Sequence, residues 1–208
     1  MSPTPLRVLL ATRNAGKIVE LRRILGEQSG PSSRLEVIGL DDAPAYEPGP
    51  ETGATFAENA LAKAREAAQA TGLPALADDS GLTVDALNGM PGVLSARWAG
   101  RHGDDQANLD LVLGQIADVP DERRGGAFVC VAALVTPAGA ETVTRGEWRG
   151  QLIRAPRGTN GFGYDPIFVP DGRDCTSAEL TPKEKDSLSH RGRAFRALLP
   201  ALTALTFA

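Results

Sequence analysis

Two short stretches have the residue types and spacing to do chemistry on a polyanion: Thr12-Arg13-Asn14-Ala15-Gly16-Lys17 and the pair Asp78-Asp79. The first follows the apolar run Leu6–Ala11 and precedes residues with helical spacing. Backbone N–H groups at a helix start, joined by the Lys17 ammonium, would cradle an anion there. It is not a Walker loop, because that motif's first glycine would fall on Ala11 and Ile18 replaces its hydroxyl. Asp78 and Asp79 follow Leu76-Ala77 and precede Ser80-Gly81, so the pair is expected at the tip of a strand before a small turn. Adjacent carboxylates in a partly buried place repel, so one protonates or a cation joins them. A hard divalent ion with oxygen ligands suits such a pair. Glu51, in Glu51-Thr52-Gly53, is a third candidate ligand. Together these acids could hold one Mg²⁺ while a carboxylate takes a proton from water. The plainer alternative is a solvated turn and an ordinary loop acid.

Two further segments complete the candidate chemistry. Gly158-Thr159-Asn160-Gly161-Phe162-Gly163-Tyr164-Asp165-Pro166 mixes glycines with aromatics. Its backbone could approach a ligand while an aromatic face stacks on a base, a contact worth about 1–3 kcal/mol. The alternative is a tight loop whose rings cap the core. From Lys183 to Arg196 the chain is locally basic, with Lys185, Arg191 and Arg193 among its cations. Ser189-His190-Arg191 falls between two helical patterns, where imidazole and guanidinium donors could meet a keto oxygen or a phosphate. A solvated helix face would also explain such a run. His102 is assigned no role.

The elements that must carry these groups are legible in outline. Leu6–Ala11 reads as a buried strand, and Lys17–Leu25 as a helix with Ile18, Leu21, Ile24 and Leu25 on one face. Gly26–Ser33 reads as a loop, Leu35–Ile38 as a second strand, and Asp41–Gly53 as a Pro-rich loop. Thr55-Phe56-Ala57-Glu58 has capping-box form and opens an Ala-rich helix that Gly72 and Pro74 stop. Leu82–Leu87 is a possible continuation of the acidic strand, and Asn88–Gly92 is a turn signal. Asp104 or Asp105 can cap a helix carrying Leu109, Val112, Leu113 and Ile116. Ala127–Val135 and Glu141–Trp148 read as a hairpin, and Arg157–Pro166 as a Gly-rich loop. Thr181-Pro182-Lys183-Glu184 has capping-box form with proline at the first helical position, and a last helix starts near Arg191. Strand–helix units combined with a hairpin predict an α/β fold with a mixed sheet flanked by helices.

The 208 residues suffice for one large domain or two small lobes with a sizeable core. The formal charge of −4 argues against non-specific nucleic-acid binding, which needs a broad basic face. No apolar run reaches the roughly 18 residues of a membrane helix. No secretory signal is visible at the start. Cys130 and Cys175 have no metal-like spacing, so a cytoplasmic, disulfide-free protein is expected.

In their order along the chain, these pieces resemble the inosine triphosphate pyrophosphatase family, also called dITP/XTP or noncanonical purine NTP pyrophosphatases. The resemblance rests on T-x-N-x-G-K at Thr12–Lys17, E-T-G at Glu51–Gly53 and T-F-x-E-N-A-x-x-K-A at Thr55–Ala64. It continues through A-D-D-S-G-L, P-G-x-x-S-A-R-W at Pro91–Trp98, G-F-G-Y-D-P, A-E-L-T-P-x-E-K ending at Lys185, and S-H-R-G from Ser189. Arg13 stands at a variable place in the first motif, and Asp186 where Asn or Ser is common.

The resemblance implies an Mg²⁺-dependent hydrolase that cuts a purine nucleoside triphosphate (ITP, dITP or XTP) between the α- and β-phosphates. It assigns Thr12, Arg13, Asn14, Ala15, Gly16 and Lys17 to the triphosphate, and Asp79 to the metal and the proton-accepting step. Ser80, Phe162, Gly163, Tyr164, Asp165, Lys185, His190 and Arg191 take the remaining nucleotide contacts. It implies a single domain over 1–208 whose elongated mixed sheet is shared by two lobes, with a central substrate cleft, and a homodimer as the usual assembly. A keto oxygen at the purine 6-position would accept from His190 and Arg191, whereas the adenine amino group would not. The competing reading is a non-enzymatic purine nucleotide sensor.

Overall fold

The computed structural model describes residues 5–28 and 35–206. Six strands form one sheet in the order β2-β1-β3-β4-β5-β6. They are β1 (Leu6–Leu10), β2 (Leu35–Ile38), β3 (Ala75–Val84), β4 (Gly125–Val135), β5 (Glu141–Leu152) and β6 (Phe168–Pro170). The helices are α1 (Ala15–Gln28), α2 (Phe56–Thr71), α3 (Asp105–Gln115), α4 (Pro182–Leu188) and α5 (His190–Leu205). β1 pairs in parallel with β2 and β3, while β6 runs antiparallel to β5, so the sheet is mixed as expected. β4 and β5 are neighbours joined by a short turn in which Thr136 N–H donates to the Ala140 carbonyl at 2.9 Å.

Much of the local structure follows the residues that announced it. Thr181 and Glu184 form a full capping box at the start of α4. Asp104 caps α3 by accepting from Ala107 N–H, and Gly72 closes α2 at φ +68°. At α2 only half of the expected box forms. Thr55 accepts from Glu58 N–H, but the Glu58 carboxylate reaches back one residue too far, to Ala54 N–H. Of the loop expected over Gly26–Ser33, Gly26–Gln28 belong to α1, and residues 29–33 lie outside the described residues.

The chain folds as two compact units. The first comprises Met1–Asp79, Cys130–Gly146 and Arg191–Ala208. Its central strands β1, β3 and β4 are buried on both faces and alternate between two apolar clusters. Val8, Leu10, Leu76, Cys130 and Ala132 face α1 and α5 through Leu21, Phe195 and Leu198. Leu9, Ala75, Ala77, Val131 and Ala133 face α2, whose Ala60, Ala64, Ala67 and Ala68 leave no bulk in between. The second unit comprises Ser80–Val129 and Glu147–His190. It packs Leu82, Val84, Val112, Trp148 and Phe168 into a core of its own, where Phe128 and Phe168 meet edge-on at 4.6 Å. Arg124 is buried there, its guanidinium donating to the carbonyls of Ile116, Leu152 and Ile153.

One sequence expectation is overturned here. The Asp pair does not end a strand, because β3 continues unbroken through Asp78, Asp79, Ser80 and Gly81 to Val84. Gly81 serves close approach rather than a turn: a Cβ there would overlap Ser95 Oγ and the Gly92 carbonyl. Ser95 Oγ accepts from Leu82 N–H at 2.9 Å and thereby ties that segment to the strand.

Candidate active site

Because Asp78 and Asp79 are neighbours in a strand, their side chains leave opposite faces of the sheet. Asp78 continues the Leu76 face, toward α1 and α5, and Asp79 the Ala77 face, toward α2. The two carboxylates therefore face different surroundings, Asp78 beside Lys17 and Arg191 and Asp79 beside Asn59 and Lys63. Among the described residues no group of three His, Cys, Asp or Glu side chains is placed to hold a metal.

Asp78 is fully buried, and its Oδ2 lies 3.1 Å from Lys17 Nζ and 3.3 Å from Arg191 Nε. Burial alone would push its carboxyl up, but Lys17, Arg191 and Lys63 outweigh burial and hold it well below the usual range. Arg191 also pairs with buried Glu20, and those two carboxylates raise its pKa despite its complete burial. Cys130 lies beside the same carboxylate, and its thiol is pushed up by burial and then by Asp78. Asp78 Oδ1 has no hydrogen-bond partner among the described residues.

On the other face, Asp79 Oδ2 accepts from Asn59 Nδ2 at 2.9 Å, and its Oδ1 lies 3.9 Å from Lys63 Nζ. Burial raises the Asp79 pKa, and Lys63, Lys17 and Asn59 offset this only in part. Lys63 Nζ also donates to Glu51 Oε1 at 3.0 Å and to the Asp78 carbonyl at 2.7 Å. Burial would lower the Lys63 pKa, yet the three acids around it raise it. The Glu51 loop is laced to α2 from the other side. Gly53 N–H donates to Asn59 Oδ1 at 2.7 Å, which turns the Asn59 amine toward Asp79. A Cβ on Gly53 would stand 2.6 Å from that Oδ1, which explains the glycine of E-T-G.

Thr12–Lys17 forms the expected junction of β1 and α1. Asn14 Oδ1 accepts from Lys17 N–H at 3.0 Å, so one helix-start donor is already spent on a cap. Asn59 and Lys63 were missed in the sequence. They lie four residues apart, on one face of α2 and inside a quoted motif, but α2 was read only as an Ala-rich helix.

The second unit gathers its own set. Asp165 is a buried hub, accepting from Lys185 Nζ at 2.6 Å, Phe162 N–H at 2.8 Å and Ser177 Oγ at 2.7 Å. Lys185 Nζ stands 5.1 Å from the centre of the Phe162 ring, at cation–π range. The Tyr164 ring is in the core, and its hydroxyl donates to the Ser95 carbonyl at 2.8 Å. His190 is buried and stacks on Phe128, ring centres 4.9 Å apart and nearly parallel. Ser80 is half-buried on β3. Thr12–Lys17, Glu51, Asp78, Asp79 and Arg191 thus belong to one unit, and Ser80, Phe162–Asp165, Lys185 and His190 to the other.

Comparison with known proteins agrees with the resemblance drawn from the motifs. A model of the Ham1 family matches residues 8–201. A protein of Nocardia farcinica named dITP/XTP pyrophosphatase is 66% identical over 202 residues, covering 97% of each chain. A protein of the same name from Mycobacteroides abscessus is 62% identical and covers 96% of each. Among solved structures, a HAM1 protein from Coxiella burnetii superposes with a TM-score of 0.82 at 43% identity, covering 96% of this chain and 99% of that one. The Staphylococcus aureus Ham1 protein gives 0.82 at 37% identity, covering 95% and 98%. This chain belongs to the Ham1 family.

Proposed function

We propose that this protein is a nucleoside triphosphate pyrophosphatase that hydrolyses deaminated purine nucleotides, ITP, dITP and XTP, to the monophosphate and pyrophosphate. The relatives named dITP/XTP pyrophosphatase at 62–66% identity support the substrate class. The observation that carries the mechanism is the buried Asp79 carboxylate, oriented by Asn59 and Lys63. A buried carboxylate held in place in this way can accept a proton from a water beside it. Asp79 would hold and deprotonate a water aimed at the α-phosphate, while Lys17 and the start of α1 would neutralise charge on the phosphates.

The donors present fit a magnesium ion bound in its usual manner, through one or two carboxylates together with substrate phosphates and waters. Asp79 and Glu51 are oxygen donors, and the Lys63 ammonium lies against both carboxylates. Asp78 is already matched by Lys17 and Arg191, and a dication beside them would be repelled. Bound Mg²⁺ would supply positive charge to the phosphate oxygens. We assign Ser80, Phe162, Gly163, Asp165, Lys185 and His190 to nucleotide contacts within the second unit. Tyr164 would act by holding the loop, and Asp165 would hold it as well, through Phe162 N–H and Lys185. Arg191 donates to Glu20 and Asp78, so reading a purine keto oxygen with its guanidinium requires giving up one of those partners. A homodimer, implied by the same resemblance, and a cytoplasmic location, expected from the cysteine usage, belong to this reading. Among the described residues no helix is long and apolar enough to cross a membrane.

A panel of nucleoside triphosphates tests this, assayed for monophosphate and pyrophosphate with Mg²⁺ and with EDTA. The expected result is pyrophosphate from ITP, dITP and XTP, little from ATP, and none with EDTA. Tight ITP binding without turnover would instead make the protein a sensor.

A further inference from the structure

Phe162 stands between two glycines in the left-handed region, Gly161 at φ +76° and Gly163 at φ +62°. Glycine backbone is permissive, so specific hydrogen bonds must set where the ring points. Two N–H groups of the turn are held by two carboxylates. Phe162 N–H donates to Asp165 Oδ2 at 2.8 Å, a bond local to the motif. Gly163 N–H donates to Asp105 Oδ2 at 2.9 Å, a bond spanning 58 residues to the first turn of α3. A hollow of about 270 Å³ lies where α3 meets the loop, and Lys185 Nζ stands over the ring at 5.1 Å. Gln106, Leu109, Thr159, Phe162 and Pro166 line the hollow, with Asp105 and Gly163. The Asp105 side chain is otherwise on the surface.

We propose that Asp105 is a positioning residue, which fixes the pose of Phe162 and so its stacking on the purine. The inference rests on the reading of Phe162 as a base-stacking surface. A charged acceptor on an N–H makes a short, directional bond suited to that role. Stacking is the same in ground and transition state, so its loss weakens KM and leaves kcat. Asp105 also sits in the first turn of α3, where a negative charge favours the helix. That purely structural role would change the melting temperature and not KM.

The test uses the full chain and its Asp105→Ala, Asp105→Asn and Gln106→Ala variants. ITP kinetics, inhibition by inorganic tripolyphosphate, and amide hydrogen exchange over residues 159–164 are measured for each. Asp105→Ala is expected to raise KM about 3- to 10-fold with kcat within about twofold, and to speed exchange in the loop. Its inhibition by tripolyphosphate, which has no base to stack, is unchanged. Asp105→Asn keeps a carbonyl acceptor and restores KM, and Gln106→Ala behaves as wild type. Unchanged KM or exchange in Asp105→Ala overturns the proposal, as does an equal loss in Asp105→Asn or a parallel loss of tripolyphosphate binding. If even the wild type hydrolyses no triphosphate, the catalytic reading fails. ITP dissociation constants of the same variants then decide the role of Asp105.

Discussion

Asp79 accepts from the Asn59 amide and lies 3.9 Å from Lys63 Nζ, whereas Asp78 lies 3.1 Å from Lys17 Nζ and 3.3 Å from Arg191 Nε. The difference sets their chemistry. Asp78 stays ionised well below the usual carboxylate range, so it is a poor proton acceptor and serves to hold Lys17 and Arg191. Asp79 is displaced the other way by burial and can take a proton from water. Replacing Asp79 by Asn keeps the shape and removes the proposed base. Turnover of ITP should fall by roughly 10²- to 10⁴-fold, the usual worth of a general base, with the thermal melt little changed. Near-normal turnover in Asp79→Asn would refute the assignment of the base. The adjacency of the two acids was plain in the sequence, but their division of labour was not. It depends on which sheet face each occupies, and so on the strand continuing past them.

At the scale of elements, helix starts were the most legible features. Thr181, Glu184 and Asp104 are local signals, and each caps the helix it announced. β3 was misread because Asp-Asp-Ser-Gly is turn-forming by composition, and only tertiary contacts hold it extended. Lys17 pairs with Asp78, Asn59 with Asp79, Lys63 bonds the Asp78 carbonyl, and Ser95 bonds the backbone at Leu82. β6 had no signal at all, since Phe168–Pro170 is too short to show alternation. Of the site, the acids and cations were legible as residue types. Asn59, Lys63, Glu20 and Asp105 were not, because each acts through a partner far away in the chain. The tight passage at Gly81 yields an element-scale prediction. Gly81→Ala forces Ser95 or the Gly92 carbonyl to move, and overpacking of this kind costs about 1–3 kcal/mol. Urea unfolding should show a lower midpoint, and an unchanged midpoint would mean that the strand yields there at no cost.

For the molecule as a whole, the buried ion pairs couple folding to pH. In the native state Asp78 holds its charge down to lower pH than an unfolded aspartate does, whose pKa is about 3.9. The unfolded chain therefore binds its proton first as pH falls. The stabilisation is fully present above about pH 5 and is lost progressively as the pH drops toward the depressed native value. Asp85, Glu141, Glu179 and Glu184 are lowered in the same direction, but they are paired at the surface, where solvent screens the gain. The fully buried Asp78 should thus dominate the difference between wild type and an Asp78→Asn variant. At neutral pH that variant should lose about 3–5 kcal/mol, because Lys17 and Arg191 are left in the interior without their shared carboxylate. Between about pH 5 and pH 3 its stability should fall less steeply than that of the wild type, because the titrating group is gone. Urea unfolding across that range measures both slopes. Parallel slopes would show that the carboxylate between Lys17 and Arg191 does not make this fold sensitive to acid.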